Sequence, residues 1–116
     1  MFGSRSDDGY REMLEGVKVK ALTCGEKTLT AEFLLSKGSA IPEHSHPNEQ
    51  AGYLVKGRLR LYVESKSKEM NPGDSWCVPS NVRHKVDVLE DSVAVEVFSP
   101  RREDYVKYLN RADLED

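Results

Sequence analysis

The sequence lacks a long apolar segment. Its 116 residues contain no hydrophobic run close to the roughly 20 residues that a transmembrane helix requires. The first residues also lack the apolar core of a secretory signal peptide, because polar and charged side chains occupy residues 4–8. We therefore expect a soluble protein without a membrane partner, and the cytoplasm is its default location.

Cysteine is scarce as well. The two cysteines, Cys24 and Cys77, are far apart and form no Cys-x-x-Cys pair. In a reducing compartment, such cysteines are expected to be free thiols rather than a disulfide. We assign neither of them a catalytic role.

An excess of positive charge is also missing. The chain has 17 Lys and Arg residues against 20 Asp and Glu residues, which gives a formal net charge of -3. Nucleic-acid-binding proteins usually carry a basic patch that neutralises phosphates. Here the one basic doublet, Arg101-Arg102, is followed at once by Glu103 and Asp104. The sequence therefore predicts no nucleic-acid partner.

Alternating hydrophobicity predicts an all-β protein. A chain of this length forms one domain. Short segments of alternating apolar and polar residues, separated by Gly, Pro and polar turns, are typical of a β-sandwich or barrel. Roughly eight strands are expected, and Lys56-Gly57 is a tight-turn signal between two of them. The clearest segments are residues 17–22, 29–35, 52–55, 59–63, 76–78, 84–88 and 93–98.

The two ends of the chain differ from this central part. The N-terminal end is polar, and Glu12 to Glu15 could form one helical turn that Gly16 ends. Near the other end, Ser99 suits the cap of a helix and Pro100 suits its first position. The sequence thus predicts three parts: a lead-in (1–16), a barrel (17–100), and a C-terminal helix and tail (101–116).

The chain contains three histidines, and two of them, His44 and His46, are two residues apart. In an extended segment, this spacing points both imidazoles to the same side. Neutral imidazole is the commonest side-chain ligand for transition metals. Any one of these histidines could be an ordinary polar surface residue, so the prediction of a metal site depends on the set.

A longer motif includes all three histidines. The segment from Gly38 to Gly57 reads G-x5-H-x-H-x3-Q-x6-G, and the segment from Gly73 to His84 reads G-x5-P-x-N-x2-H. The two segments resemble the two sequence motifs of the cupin superfamily, and the resemblance covers about residues 17–100. It implies an all-β cupin barrel, which is a double-stranded β-helix of the jelly-roll type. It also implies that one divalent metal ion is held by His44, His46, Gln50 and His84.

Two positions depart from the general cupin pattern. Asn81 stands where many members have Gly, and Asn tolerates a left-handed backbone, so the turn is expected to persist. Gln50 stands where many members have Glu. Its amide oxygen is a neutral and weaker ligand, so metal should bind less tightly and should polarise a bound oxygen more strongly. Glu49 is the alternative ligand, although its side chain would point the other way in an extended segment.

The segment at residues 95–105 (VEVFSPRREDY) carries a more specific resemblance. Together with residues 44–50 (HSHPNEQ) and Gly16-Val17, it is similar to the KdgF-type small cupins of pectin degradation. The resemblance implies that the chain opens the ring of an unsaturated uronate to a linear keto acid, at a metal ion held by three His and one Gln. The functional Asp, Phe and Arg of that family fall at Glu96, Phe98 and Arg102.

The residues themselves leave these three roles open. Glu96 sets its carboxylate one methylene further out than the family's Asp, a shift of about 1 Å that can be costly for a catalytic group. Its side chain either faces solvent or points into the barrel mouth, where it would be a general acid or base. Phe98 is either a plain core aromatic or a wall of the site. Arg102 is either solvated or binds a substrate carboxylate through two hydrogen bonds.

The predicted function is that of a metal-dependent enzyme acting on a small sugar acid. Four protein ligands leave one or two positions open, as in catalytic metal sites, and zinc, iron, nickel or manganese would suit them. One alternative is an iron-dependent dioxygenase, and another is a non-catalytic module that binds metal or sugar. The resemblance also implies a homodimer, and apolar residues on both strand faces at residues 21–22 and 33–35 agree with it.

Overall fold

The structure, a computed structural model that describes residues 1–116, has mostly β-strands as its secondary structure. Two short 3-10 helices follow the last long strand, at Glu103–Tyr108 and Arg111–Asp113. None of the helices is long and apolar enough to cross a membrane. The strands are β1 (Phe2–Gly3), β2 (Arg11–Leu14), β3 (Val17–Cys24), β4 (Leu29–Leu35), β5 (Ala40–His44), β6 (Glu49–Val63), β7 (Lys66–Met70), β8 (Ser75–Val78), β9 (His84–Ser99) and β10 (Leu114–Glu115).

Eight of the strands form one antiparallel sheet around a single core. The strand order is β2-β3-β4-β9-β6-β7, with β5 paired to β9 and β8 paired to β6. The ladder between β6 and β9 is the longest in the sheet. On its other edge, the first half of β6 pairs with β8 and the second half with β7. The first half of β9 likewise pairs with β5 and the second half with β4. The predicted all-β fold is confirmed.

The core follows from the alternation along the strands. In β4, Leu29, Ala31, Phe33 and Leu35 are buried, and the residues between them are only partly covered. Successive side chains of a strand point to opposite faces, so every second residue enters the core. The same alternation on β9 turns Ala94, Glu96 and Phe98 inward.

The two longest strands each replace two predicted strands. The tight turn predicted at Lys56-Gly57 is wrong, because β6 continues through it with irregular pairing between Leu54 and Leu59. Gly57 has a φ of +96°, which puts a left-handed bend into the strand, and a Cβ there would overlap Ser92. Likewise, residues 84–99 form one strand instead of two.

The ends of the chain also depart from the prediction. Residues 11–14 form a strand that pairs with β3, so the helical turn predicted at Glu12 to Glu15 is wrong. The predicted C-terminal helix is present as 3-10 helices. It begins after Arg102, whose side chain makes no capping hydrogen bond, and Ser99 belongs to β9. Polar residues of the lead-in could fit either a turn or an edge strand, and pairing with β3 decides between them.

Lys20 joins the two ends of the chain to the sheet. Its side chain lies on β3 and the residue is only 1% exposed. The ammonium group donates hydrogen bonds to the Ser6 carbonyl (2.9 Å), the Asp8 carbonyl (2.8 Å) and the Asp113 carboxylate (3.1 Å). A buried ammonium group needs such partners, because desolvation of an unpaired charge is costly. We call this contact the Lys20 clamp.

Candidate metal site

The three histidines come together at one end of the sheet. His44 ends β5 and is the register partner of His84, which begins β9, and His46 follows in the next loop. One ligand nitrogen from each ring lies within 4.8 Å of the other two. His46 and His84 are buried and His44 is partly exposed. This is the separation that one ion bound by all three rings requires.

Local backbone contacts fix how each ring is turned. The Nδ1 atom of every histidine lies 2.9 Å from a carbonyl oxygen two residues away along the chain. A carbonyl oxygen only accepts hydrogen bonds, so each Nδ1 carries the proton and each Nε2 keeps its lone pair for a ligand. The accepting carbonyls belong to Pro42 for His44, Asn48 for His46 and Val82 for His84.

No hydrogen-bond donor then faces the Nε2 atoms of His46 and His84. That of His84 is buried and makes no hydrogen bond. That of His46 lies 3.0 Å from the side-chain oxygen of Gln50, so two lone pairs face each other. A cation bound between these two atoms would turn their repulsion into attraction, because each lone pair would then face a positive charge. Three imidazole nitrogens and an amide oxygen are also a donor set that divalent transition metals accept, so the residues fit the ion that the cupin motifs imply.

Gln50, and not Glu49, faces the cluster. Gln50 is a buried residue of β6, and its neighbour Glu49 is exposed on the other face. The amide nitrogen of Gln50 donates a hydrogen bond to Glu96 Oε1 at 2.6 Å, and Trp76 Nε1 donates to the same oxygen at 2.7 Å. The amide oxygen of Gln50 is left to point at the histidines.

Glu96 points into the barrel rather than to solvent. The residue is 8% exposed, and it lines one cavity together with His44, Gln50 and His84. The cavity encloses about 50 Å³, which is space for a few water molecules. Of the two orientations that the sequence left open for Glu96, the structure has the inward one.

Phe98 and Arg102 line the same cavity. Phe98 is fully buried and contacts His46 edge to face, with 5.8 Å between the ring centroids, so it is both a core residue and a wall of the site. The guanidinium of Arg102 lies over the rings of Phe98 (5.2 Å) and Tyr105 (4.0 Å). It also donates two hydrogen bonds to the carboxylate of Asp104, at 3.2 and 2.9 Å.

Burial moves the pKa values in this site. It lowers the pKa of His84 to about 4, with the neighbouring histidines and Arg102 acting in the same direction. Burial, followed by the charge of Arg102, also lowers the pKa of His46. Both rings are therefore neutral at neutral pH, which is the form that binds metal. Burial raises the pKa of the Glu96 carboxyl, and the donors Gln50 and Trp76 oppose the rise.

Sequence reasoning missed Trp76 as part of this site. Its indole donates to Glu96, but no local motif marks it. The parity of Trp76 with buried Val78 on β8 is a signal that it points inward. The contact itself depends on the pairing of β8, β6 and β9, which the spacing along the chain does not specify.

Comparisons with known proteins agree with the fold. The Cupin domain family model matches residues 31–99. The chain is 27% identical over 99 residues to the pectin degradation protein KdgF of Dickeya dadantii, which covers 84% of this chain and 90% of that protein. It is 26% identical over 85 residues to quercetin 2,3-dioxygenase of Bacillus subtilis, which covers 68% of this chain and 25% of that protein.

A solved structure is similar along nearly the whole chain. It is that of KdgF from a Halomonas species, with a TM-score of 0.85 and 25% sequence identity. The similarity covers 90% of this chain and 98% of the other. Little of either chain therefore lies outside the fold that the two proteins share.

Proposed function

The chain belongs to the cupin domain family, and we propose that it is a metal-dependent enzyme that opens the ring of an unsaturated uronate or a similar small sugar acid. One observation carries the proposal: a buried carboxylate, Glu96, lies in the same cavity as His44 and His84, two of the three histidines whose ligand nitrogens lie within 4.8 Å of one another. The similarity to two KdgF proteins along most of the chain supports the substrate class.

The metal would be held by the four residues described above, His44, His46, Gln50 and His84. When bound, such an ion supplies Lewis acidity towards a carboxylate or hydroxyl oxygen of the substrate. Its identity is proposed only as a divalent transition metal. Because the four protein ligands are all neutral, the full charge of the ion would act on the substrate.

Glu96 would move the proton. Ring opening of an unsaturated uronate is an isomerisation, in which the hydroxyl of the anomeric carbon loses a proton and the ring C–O bond breaks. A carbon of the former double bond then gains a proton. Glu96 is the one carboxylate that lines the cavity, and its raised pKa suits a group that accepts and returns a proton.

Arg102 and Phe98 would place the substrate. A guanidinium binds a carboxylate through two parallel hydrogen bonds, and that of Arg102 now binds Asp104 in this way. A substrate carboxylate would take the place of Asp104. The cavity is smaller than a sugar ring needs, so substrate binding would also require residues that line it, such as Arg102, to move. Phe98 would keep water from one side of the reacting group.

The test follows the loss of ultraviolet absorbance as an unsaturated uronate loses its conjugated double bond. Metal-loaded protein should accelerate this loss over buffer. At saturating metal, Glu96→Gln should still reduce the rate by about 100-fold or more, because it keeps the shape of the side chain and cannot take up the proton. The matched control is Glu90→Gln, which changes an exposed carboxylate on the same strand and should leave the rate unchanged. No acceleration by metal-loaded wild-type protein would contradict the proposal.

The similarity to a dioxygenase favours a second candidate, an iron(II)-dependent dioxygenase. This chain spans a quarter of that relative, so the similarity bears on the barrel and its metal site more than on a substrate. Oxygen consumption by the iron-loaded protein would favour this candidate. Equal uronate turnover with and without oxygen would exclude it for that substrate.

We also propose a homodimer formed through the outer face of the sheet. Val93, Val95 and Val97 are half-buried and point outward from the second half of β9, and Tyr53 and Val55 on β6 are 50% and 49% exposed. Apolar residues clustered on one face are typical of an interface. Light scattering after size exclusion should give twice the mass of one chain. The cytoplasmic location and the absence of a nucleic-acid partner stay predictions from the sequence.

A further inference from the structure

Three residues on neighbouring strands lie in one row beside the metal site. Trp76 on β8 is the register partner of Gly52 on β6, and Gly52 is the register partner of Glu96 on β9. The indole of Trp76 crosses over Gly52 and donates its N–H to Glu96 Oε1 at 2.7 Å. The two side chains thus meet across a strand that carries no side chain between them.

Gly52 makes this crossing possible. A Cβ at this position would come within 2.5 Å of Trp76 Cζ2 and nearer still to Nε1. Gly52 has no positive φ, so its role is close approach and not backbone conformation. Any other residue there would push the indole away from Glu96.

Glu96 in turn decides which end of the Gln50 amide faces the ion. A side-chain amide has an oxygen at one end and an NH₂ group at the other, and only the oxygen can bind a metal. A carboxylate accepts hydrogen bonds, so the Gln50 nitrogen turns to Glu96 Oε1, at 2.6 Å. The reversed amide would place its oxygen against the carboxylate and its nitrogen against the ion, and both contacts would be repulsive.

We propose that Trp76, reaching across Gly52, is a positioning residue for the metal site: it holds Glu96 where that carboxylate orients the Gln50 amide with its oxygen toward the ion. A glutamate ligand has two equivalent oxygens and needs no such device. The contact between Trp76 and Glu96 is therefore needed only because the ligand in this chain is an amide. The inference rests on the proposed metal site and is independent of the substrate.

The first experiment measures metal binding by Trp76→Phe, which removes the indole N–H and keeps an aromatic ring. Loss of an outer partner of a metal ligand typically costs 10- to 100-fold in metal affinity. Because Trp76 acts through Glu96, one contact further from the ion, we expect a loss at the lower end of that range, about 10-fold. A chelator competition with Co²⁺ measures it, and the visible absorption spectrum of the bound ion should change. Tyr53→Phe, an aromatic change on the outer face beside Gly52, is the matched control and should bind Co²⁺ as wild type does.

The same substitution in a second variant distinguishes loss of amide orientation from a general disturbance of the metal site. In Gln50→Glu/Glu96→Gln, the carboxylate and the amide exchange places, so a hydrogen bond between them is kept and the ligand no longer needs orienting. Adding Trp76→Phe to this background should change Co²⁺ affinity by less than 2-fold. An equal loss in both backgrounds, or no loss and no spectral change in Trp76→Phe alone, would overturn the inference.

Gly52→Ala supplies an independent approach to the same contact. It should lower Co²⁺ affinity as Trp76→Phe does, and the double variant should be no weaker than the single ones, because both act through one contact. Additive losses would refute the inference. Wild-type protein that binds no Co²⁺ would overturn the metal site itself, whereas normal binding without uronate turnover would overturn only the proposed function.

Discussion

A single ring nitrogen determines what each histidine in the site can do. A carbonyl two residues away holds the Nδ1 proton in all three cases, so the ligand atom is selected by the short segment around each ring. The rings are therefore oriented before an ion arrives. Pre-orientation of this kind reduces the conformational cost of binding.

Removing one ring tests this directly. His84→Ala takes away a ligand whose Nε2 is buried and has no other partner. We expect metal affinity to fall by more than the 10- to 100-fold typical of an outer partner, since a direct ligand is lost. Isothermal titration with Zn²⁺ measures it. Lys85→Ala, the exposed neighbour on β9, should bind as wild type does. Unchanged binding by His84→Ala would show that the cluster does not hold the ion.

Much of this site could be predicted because its signals are local. Parity alone places His44 and His46 on one side and separates Gln50 from Glu49, and the structure has both arrangements. The direction of Glu96 could not be derived in this way, because its strand is apolar on both faces. The contact with Trp76 was out of reach for a further reason: it joins three strands whose register is a property of the folded sheet.

Bent strands shape the barrel around this site, and glycine permits one of the bends. Gly57 combines a φ of +96° with close contact to Ser92 and Asp91, whose backbone atoms cannot move aside easily. Gly73 has a similar φ of +94°, with nothing near its absent side chain. A side chain at Gly73 would meet only the cost of a left-handed backbone, whereas a side chain at Gly57 would meet that cost and steric overlap as well.

Alanine substitutions at these two glycines should therefore differ. Gly73→Ala should lower the free energy of unfolding by about 1 kcal/mol, the cost of a left-handed conformation for a residue with a Cβ. Gly57→Ala adds overlap with the paired strand and should cost roughly 3 kcal/mol or more. Urea unfolding followed by circular dichroism measures both. Equal losses would mean that β6 can relax at residue 57.

The predicted strand segments fall within observed strands, but their number and their connections differ from those of the structure. Hydrophobic alternation marks the parts of β6 and β9 that face the core, but Lys56-Gly57 carries the signal of a hairpin turn. A glycine signals a left-handed backbone, and both a turn and a bend within a strand use one. Likewise, β5 and β7 are short strands of mostly exposed or partly exposed residues, so alternation gave no signal for them.

The Lys20 clamp ties distant parts of the molecule together. One ammonium group binds the backbone at Ser6 and Asp8 and the carboxylate of Asp113. The pKa of Asp113 is lowered by hydrogen bonding with Ser6 and Lys20. A carboxyl whose pKa is lowered on folding stabilises the fold above its unfolded pKa of about 3.9, and this stabilisation is lost as the pH falls through the folded pKa.

The effect of Asp113→Asn on stability should depend on pH in the same direction. At pH 7, the variant should be less stable than wild type, because the ammonium group loses its charged partner. Below about pH 4, the difference should shrink, since the wild-type carboxyl becomes protonated as well. Urea unfolding at pH 7 and pH 3 compares them, with Asp116→Asn as a control at an exposed carboxylate. A difference that grows in acid would contradict the clamp.

The pairing of β5 with β9 has a consequence for the time course of folding. His44 and His84 are register partners on strands far apart in the chain, so neither half of the sequence can build the site by itself. Sheets joined by such distant pairings close slowly, typically in milliseconds to seconds. Metal added to refolding protein would therefore be captured only after that ladder has closed, and its uptake would time a late event in folding.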